Sequence, residues 1–487
     1  SVNMQLLTVD GYRDGRKSSM LSVQGPEFRQ CDGMTRRRFL TAGALGAGGL
    51  TLADLFRNEA SAGIAASDRA IINIHLDGGP PQMDTIDLKP NAPSEVRGEF
   101  QPIATRIPGF QVCELMPRLA AMADRFSYIR SLVGAAGQHD AFQCQSGFRK
   151  NNMAALGGRP AMGCALTRLR GSSDDPAPTF VDLLQGRPLV RNSARPGFLG
   201  PSFKPFRPDI SKIFPRPLEV GMVKELAALG NNHTTSLALN DTLDAKRLGD
   251  RANLLSELDR VKCELDASGN MEALDRFHQQ AASILTSGRF ADALDLSKIA
   301  PHELKRYTAP ASSVERFVTA DDHRSMRKFL LARRLVEAGV RCVSVSFSDF
   351  DTHSGNFTRM KHMLPILDQG LTALVSDLEE RGMLDHVTIV AWGEFGRTPK
   401  INKNAGRDHW PQVAPAILTG GGMNLGQVIG ATDRTAATAT SRPIHYKDVF
   451  ATLYHTIGID PHHATVIDPT GRPQYLLDHG QPISELV

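Results

Sequence analysis

The sequence predicts an α/β protein with a mostly parallel central sheet that is flanked by helices. Short apolar runs rich in β-branched residues end in polar or glycine-rich turns, and helical patterns lie between them. Strands that alternate with helices favour parallel pairing, because the connecting helices cover the faces of the sheet. The length of 487 residues allows one large α/β body with insertions.

Four segments have the pattern of buried strands. They are residues 70–76 (AIINIHL), 340–347 (VRCVSVSF), 387–392 (VTIVAW) and 414–418 (APAIL). Helical patterns cover residues 117–125 and 364–378, where leucines recur at spacings of three and four. Ligands of such sheets bind at the C-terminal ends of the parallel strands, so a functional site is expected there.

The middle of the chain has a different character. Residues 195–217 contain six prolines, which predicts an extended surface connection. Residues 243–299 carry apolar stripes at helical spacing, and such stripes are typical of core packing. We therefore expect a helical insertion at about residues 205–320 within the α/β body.

The first 66 residues are predicted to be an N-terminal extension that carries an export signal. Residues 34–50 (MTRRRFLTAGALGAGGL) combine an arginine triplet with an apolar run rich in alanine and glycine, which is typical of a twin-arginine signal. The run is too short for a membrane span of about 20 apolar residues. We expect residues 67–487 to form the mature α/β domain, without a transmembrane span, in the periplasm or at the cell surface.

Composition and missing motifs exclude several classes of function. The net charge is only +4, and no long basic run offers the electrostatic footprint of a nucleic-acid binder. The six cysteines include no Cys-x-x-Cys pair of the kind that marks a zinc knuckle or a redox site. A nucleophile elbow, a His-Glu-x-x-His helix, a Walker loop and a dinucleotide fingerprint in a suitable context are all missing, which disfavours serine hydrolases and nucleotide enzymes.

Polar residues cluster where the predicted strands end, with one further group on a loop that could fold back beside them. They are Asp77, Asp351, His353, Glu394, Arg397, Asp408 and His409. Each has a simpler interpretation by itself, since an aspartate after a strand usually caps a helix or forms a turn. Together they supply carboxylates and imidazoles, which are the donors that zinc, manganese and iron prefer. The pattern predicts a divalent metal site at this edge of the sheet.

Several longer segments carry a resemblance to a known family. They are residues 34–40 (MTRRRFL), 76–100, 113–131, 331–357 and 390–411. This combination resembles the bacterial DUF1501 family over nearly the whole mature chain. The family is placed in the alkaline phosphatase and sulfatase superfamily. The resemblance therefore implies a metal-dependent hydrolase of phosphate or sulfate esters, whose substrate is a small-molecule or polysaccharide ester.

The resemblance also divides the candidate ligands into two sets. Asp351, His353 and His409 match one metal set. Asp77 and Glu394 match the other, with Glu394 where superfamily enzymes usually have Asp-His. The resemblance leaves the identity of the metal open among zinc, manganese, calcium and iron, and it leaves the oligomeric state open.

Two departures from the superfamily pattern bear on catalysis. The nucleophile of these enzymes would fall near Gly137 or Gln138, where this chain has no hydroxyl or thiol, and the Asp-x-His spacing is tighter than the usual Asp-x-x-x-His. Three alternatives follow: a displaced nucleophile, direct attack by metal-bound hydroxide, or a non-catalytic binding or scaffold protein of the cell surface. The candidate catalytic residues are His139, Arg397 and Asp408, of which His139 or Arg397 would steady the anion.

Overall fold

The computed structural model divides the chain into two units, residues 1–64 and 65–487. It describes the backbone of strands Met4–Thr8, Ser19–Val23 and Leu40–Gly43, which form an antiparallel sheet in the first unit. In the second unit it describes residues 68–149, 157–172, 175–191, 194–211, 213–216, 218, 220–228, 288–310, 317 and 319–487. The predicted twin-arginine motif, at 34–39, and residues 229–287 of the predicted insertion lie outside the described residues.

An eight-stranded sheet forms the centre of the second unit. Its strands are β1 (Ala70–Asp77), β2 (Ser127–Val133), β3 (Phe180–Leu183), β4 (Cys342–Ser348), β5 (Val387–Trp392), β6 (Ala414–Gly420), β7 (Val428–Ile429) and β8 (Ile444–His445). Their spatial order is β7-β2-β6-β5-β1-β4-β3, and β8 also pairs with β2. The neighbouring strands β5, β1, β4 and β3 are parallel, which confirms the predicted mostly parallel sheet.

Strand β6 is the exception, because it is antiparallel to both of its neighbours. The sequence allows the loop at 406–411 to fold back toward the ends of the parallel strands. Since β6 runs in the opposite direction, it begins at the edge where the parallel strands end. The loop that precedes β6 therefore reaches the predicted site directly.

Helices flank this sheet. The α-helices are Ser94–Arg97, Pro117–Ala121, Gln143–Ser146, Met162–Arg170, Arg187–Val190, Val220–Ala228, Arg289–Leu294, Pro301–Arg306, Arg327–Glu337, Asn356–Glu380 and Tyr446–Thr456, with 3₁₀ turns at Gln82–Asp84, Ala123–Arg125, Gly197–Leu199, Pro201–Phe203, Leu296–Lys298 and Leu384–His386. Both predicted helical segments fall within these elements. No helix in the described part of the chain is long and apolar enough to cross a bilayer.

Short two-stranded ladders complete the fold. They pair Pro102–Ala104 with Gln111–Cys113, Gly396–Arg397 with His409–Trp410, Ala431–Thr432 with Ala439–Ser441, and Thr465–Ile467 with Pro473–Tyr475. The second of these ladders joins the segment after β5 to the segment before β6. It therefore fixes the two loops that carry most of the predicted site.

The strands that end at this edge of the sheet are anchored in the hydrophobic core. All eight residues of β1 and all seven of β4 are buried, as expected for central strands that are covered on both faces. The leucine stripe of the long helix Asn356–Glu380 belongs to the same core cluster as the apolar residues of these strands. Side chains that follow the strands therefore project from a fixed backbone.

Candidate metal centre

The predicted site residues meet at one edge of the sheet, in two adjacent groups. The outer cluster consists of Asp351 and His353, which follow β4, and His409, which lies on the loop before β6. The inner cluster consists of His75 and Asp77 in β1 and Glu394 just after β5. Donor atoms of the inner cluster lie within 4.8 Å of one another.

The outer cluster has the dimensions of a metal-ligand set. His353 Nε2 lies 3.1 Å from both His409 Nε2 and Asp351 Oδ1, and His409 Nε2 lies 3.5 Å from the same carboxylate oxygen. Ligands at about 2.0–2.1 Å from a tetrahedral zinc ion stand about 3.3–3.4 Å apart. The three donor atoms therefore fit a single divalent cation.

Hydrogen bonds at Nδ1 of the two imidazoles orient the Nε2 atom of each ring toward the other ligands. His353 Nδ1 lies 2.6 Å from the carboxylate of Asp408, and His409 Nδ1 lies 3.3 Å from the carbonyl oxygen of Gly137. Both oxygens are acceptors, so each neutral ring carries its proton on Nδ1 and leaves Nε2 as a lone-pair donor. Backing of this kind is the usual support of metal-binding histidines.

His139 lies between the two clusters. Its Nδ1 is 2.8 Å from Glu394 Oε1, and its Nε2 is 3.2 Å from Asp351 Oδ2. Donor atoms of His139, Asp351 and His409 also lie within 4.8 Å of one another. The candidate catalytic residue His139 is therefore in contact with a carboxylate of each cluster.

The inner cluster is fully buried. The side chains of His75 and Glu394 are 0% and 1% exposed, and that of Asp77 is 2% exposed. His75 Nε2 lies 3.2 Å from Glu394 Oε2, but without the geometry of a hydrogen bond, and His75 Nδ1 also lacks a hydrogen-bond partner. The backbone N–H of Gly78 donates to Glu394 Oε1 at 3.2 Å.

Two arginines face the carboxylate of Asp77. Arg216 Nη2 lies 3.1 Å from Asp77 Oδ2, and the Ser348 hydroxyl donates to the same oxygen at 2.9 Å. Arg187 spans both clusters, with Nη1 at 3.8 Å from Asp77 Oδ1 and Nη2 at 3.1 Å from Asp351 Oδ2. The carboxylates at this edge are thus paired with guanidinium groups as well as with imidazoles.

These contacts shift the pKa values of three groups. Burial alone would raise the pKa of Asp351, but the adjacent imidazoles of His139 and His409 and the charge of Arg397 hold it well below the usual range. Burial likewise opposes ionisation of Glu394, yet His75 and His139 lower its pKa. Burial lowers the pKa of His139, but its two carboxylate partners outweigh that effect and raise it to about 9. Both carboxylates are therefore ionised at neutral pH.

Close backbone approaches hold the loops of the site together. Gly78 has φ +98°, and a Cβ at this position would lie 2.4 Å from the backbone nitrogen of Asp351. A Cβ on Gly406 would lie 2.2 Å from the backbone of His353. Only glycine permits these approaches, so the two residues fix the outer cluster at the end of β1.

A buried ion pair anchors the loop that carries His409. Arg407 donates to both oxygens of Asp84, at 2.8 and 3.0 Å, and both side chains are at most 1% exposed. The backbone N–H of Arg407 also donates to the carbonyl of Thr352 at 2.8 Å. Asp84 thus holds the loop before β6 against the segment that follows β4.

The other two candidate catalytic residues contact the ligands of the outer cluster. Arg397 is fully buried, and its guanidinium donates to Asp351 Oδ1 at 2.7 Å and to the carbonyls of Gly78, Gly79 and Arg407. Asp408 is half exposed and accepts from His353. The guanidinium of Arg397 is therefore engaged by protein groups, and Asp408 lies behind an imidazole.

Sequence reasoning missed three residues of this centre. His75 is hidden inside an apolar strand pattern, although its spacing of two from Asp77 places both on one face of β1. Arg187 begins a one-turn helix. Arg216 lies in the proline-rich segment that the sequence assigned to the surface, yet its side chain is only 7% exposed. The one sequence signal for Arg216 was its position between Pro215 and Pro217.

A cleft of about 580 Å³ opens over the centre. His139 and His409 line it together with Gln138, Arg191 and Arg195. Glu225, on helix Val220–Ala228, contributes one further side chain and forms a two-pronged ion pair with Arg191. An anionic molecule in this cleft would meet cationic side chains on its way to the outer cluster.

The sequence profile of the family described as "Protein of unknown function (DUF1501)" matches residues 68–487. The chain belongs to the DUF1501 family. The predicted membership is thus confirmed over the whole α/β unit. No curated protein matches this DUF1501 chain.

Solved structures resemble this DUF1501 protein only distantly. The crystal structure of Ps i-CgsB is 10% identical, with a TM-score of 0.34 over 80% of this chain and 72% of that one. The phosphonate monoester hydrolase SpPMH from Silicibacter pomeroyi is 13% identical, with a TM-score of 0.30 over 82% and 75%. BT4656 in complex with its substrate D-glucosamine-2-N,6-O-disulfate is 11% identical, with a TM-score of 0.28 over 86% and 82%. Similarity at these scores carries no information about the function of this chain.

Proposed function

We propose that this protein is an exported, metal-dependent hydrolase of phosphate or sulfate esters. The observation that carries the proposal is the outer cluster, in which two imidazole lone pairs and one carboxylate oxygen converge at 3.1–3.5 Å. Three such atoms need a proton or a cation between them, and one divalent cation can satisfy all three at once. Asp351, His353 and His409 are therefore the proposed ligands, and their two nitrogen donors favour zinc, manganese or iron over calcium, which prefers oxygen ligands.

A divalent cation held there would supply Lewis acidity to an ester oxygen and activate water for attack. The residues of the chain hold and orient the reacting groups. Asp408 and the carbonyl of Gly137 keep the two imidazoles in the ligating tautomer. Arg397 is proposed to position Asp351 rather than to bind substrate, because its guanidinium is engaged by one carboxylate and three carbonyls.

The anionic ester group is proposed to bind in the cleft above the outer cluster. Arg195 lines this cleft, Arg191 lines it in an ion pair with Glu225, and His139 lines it beside Asp351. Cationic side chains next to the reacting group favour phosphate and sulfate esters over neutral substrates. We propose a small-molecule or polysaccharide ester as the substrate.

Water is proposed as the attacking group, without a covalent intermediate on the chain. Gly137 and Gln138, where a superfamily nucleophile would stand, have no hydroxyl or thiol. The hydroxyl of Ser348 donates to Asp77 and is fully buried beneath the cleft. We therefore assign the attack to water and not to a displaced side-chain nucleophile.

Export remains part of the proposal, on the basis of residues 34–50. We expect that replacing Arg36 and Arg37 with lysine leaves the precursor inside the cell, because the twin-arginine pathway recognises the arginine pair. Fractionation of cells that express the full chain measures this result. Normal export of the double variant would contradict the proposal.

The hydrolase proposal is tested with the purified full chain, aryl phosphates and aryl sulfates. Activity should disappear after chelation, return with zinc, manganese or iron, and be lost in His353→Ala and His409→Ala. His463→Ala is the matched control, because His463 is exposed and pairs with Asp460 outside both clusters. Stoichiometric metal without hydrolysis of either ester class would favour the non-catalytic binding or scaffold alternative. Activity unchanged by chelation would contradict the metal-dependent reaction.

A further inference from the structure

The inner cluster has the composition of a second metal site, but its aspartate is already paired with fixed positive charges. Both oxygens of Asp77 face a guanidinium group, Oδ2 at 3.1 Å from Arg216 and Oδ1 at 3.8 Å from Arg187. The hydroxyl of Ser348 also donates to Oδ2. A cation bound by Asp77 would lie beside both guanidinium groups in a buried position, where the repulsion between the positive charges is poorly screened.

The charge balance of the two clusters leaves room for one cation. Four carboxylates contribute negative charge, from Asp77, Asp351, Glu394 and Asp408. Three guanidinium groups contact these carboxylates, from Arg187, Arg216 and Arg397. Without the imidazoles the sum is one negative charge, and a proton on His139 brings it to zero, so one divalent cation leaves one or two positive charges that an anionic substrate can offset. Two cations would leave three or four positive charges, most of them out of contact with water, where unpaired charge is strongly disfavoured.

Burial decides which cluster takes the cation. The side chains of the outer cluster are 16% to 49% exposed and border the cleft, whereas those of the inner cluster are at most 2% exposed. The inner cluster therefore does not fit a second divalent cation.

We propose that the protein binds a single divalent cation per chain, at the outer cluster, and that Arg187 and Arg216 take the place of a second cation at the inner cluster. The inference rests on the proposed function, since it assumes that the outer cluster is loaded. It assigns a role to two arginines outside the ligand sets: they are positioning residues that hold Asp77 and Asp351 by permanent charge. Guanidinium groups suit this task because they stay ionised when buried.

The test is metal content per chain, measured by mass spectrometry after the full-length protein has been stripped with chelator, reloaded with zinc or manganese and desalted. We expect one metal in the wild type and none in His409→Ala. The double variant Arg187→Met/Arg216→Met should bind a second metal, so that its content rises from one to two. Arg359→Met is the matched control and should stay at one, because Arg359 pairs with Asp349 at 3.0 Å and not with either cluster.

The outcomes separate this inference from the proposed function. Two metals in the wild type, or one metal that survives His409→Ala, would overturn the inference and leave a metal-dependent hydrolase intact. A double variant that stays at one metal would show that the arginines do not exclude the second cation. No metal in the wild type would overturn the proposed function itself.

A second measurement keeps the inference testable if the double variant Arg187→Met/Arg216→Met fails to fold. The absorption spectrum of bound cobalt(II) reports its ligands, and Glu394→Gln should leave this spectrum and the metal content of one unchanged. His353→Ala should abolish or shift the cobalt spectrum. A spectrum altered by Glu394→Gln to the same extent as by His353→Ala would overturn the inference.

Discussion

The outer and inner clusters contain the same kinds of donor, and two guanidinium groups face the aspartate of each, but the clusters differ in burial and in their number of imidazoles. The outer cluster borders the cleft and has two imidazoles with free lone pairs, each backed by an acceptor on Nδ1. The inner cluster is buried, and two arginines face its aspartate. Ligand type alone therefore does not identify a metal site, because the neighbouring charges and the access of solvent decide whether a cation is accommodated.

The largest expected difference between the clusters follows from removing a ligand. His409→Ala should lower metal affinity at least about 100-fold, since loss of a group behind a ligand alone costs 10- to 100-fold. His75→Gln should leave metal affinity unchanged, because the inner cluster is proposed to hold no cation. Isothermal titration with zinc measures both. An equal loss of metal affinity in the two variants would contradict the proposed difference between the clusters.

Removing the anchor of the outer loop should have the next largest effect. Asp84→Asn leaves Arg407 buried without a charge partner, which is expected to lower the free energy of unfolding by about 3–5 kcal/mol. Glu485→Gln is the matched control, since its pair with Arg442 is on the surface and is worth no more than about 1 kcal/mol. Urea denaturation measures both changes. A loss in Asp84→Asn no larger than that of the control would contradict the anchoring role.

The group behind His353 offers a smaller perturbation of the outer cluster alone. Asp408→Asn keeps the shape of the side chain but weakens the acceptor that fixes the imidazole, so metal affinity should fall by about 10- to 100-fold. Asp433→Asn is the control, because the carboxylate of Asp433 accepts hydrogen bonds from backbone N–H groups of its own loop, those of Thr435 and Ala437. Competition with a chromophoric chelator measures the affinity. An unchanged affinity in Asp408→Asn would mean that this carboxylate does not orient the ligand.

The smallest effect is expected in the cleft. Arg195→Ala should raise KM by up to about fivefold while kcat and metal affinity stay the same, because an exposed charge contributes at most about 1 kcal/mol to binding. Steady-state kinetics on the active ester class measures the two constants. A fall in kcat without a change in KM would place Arg195 in the reaction rather than in substrate binding.

The fold and the outer cluster were accessible from the sequence because they depend on local signals. Apolar runs that end in polar turns marked β1, β4 and β5, and the carboxylates and imidazoles that follow them marked the edge. The antiparallel direction of β6 left no trace in its own residues, since strand direction is set by pairing partners that are distant in the chain. The sequence nevertheless placed His409 correctly, because the loop before β6 reaches the same edge.

The balancing charges of the inner cluster were not accessible in the same way. Arg187 and Arg216 come from segments without a periodic pattern, and only the folded chain brings them within 3.8 Å of Asp77. His75 lies within the apolar run of β1, and only the chemistry of its side chain distinguished it from its neighbours. Long-range charge pairing has no sequence period, so the number of cations could not be predicted from the ligands alone.

An anomalous difference map from crystals of the full-length protein grown with zinc or manganese would show directly which cluster binds the cation. We expect a single peak about 2.0–2.3 Å from the donor atoms of Asp351, His353 and His409, and none within reach of His75, Asp77 and Glu394. A peak at the inner cluster, or no peak at the outer cluster, would contradict this proposal.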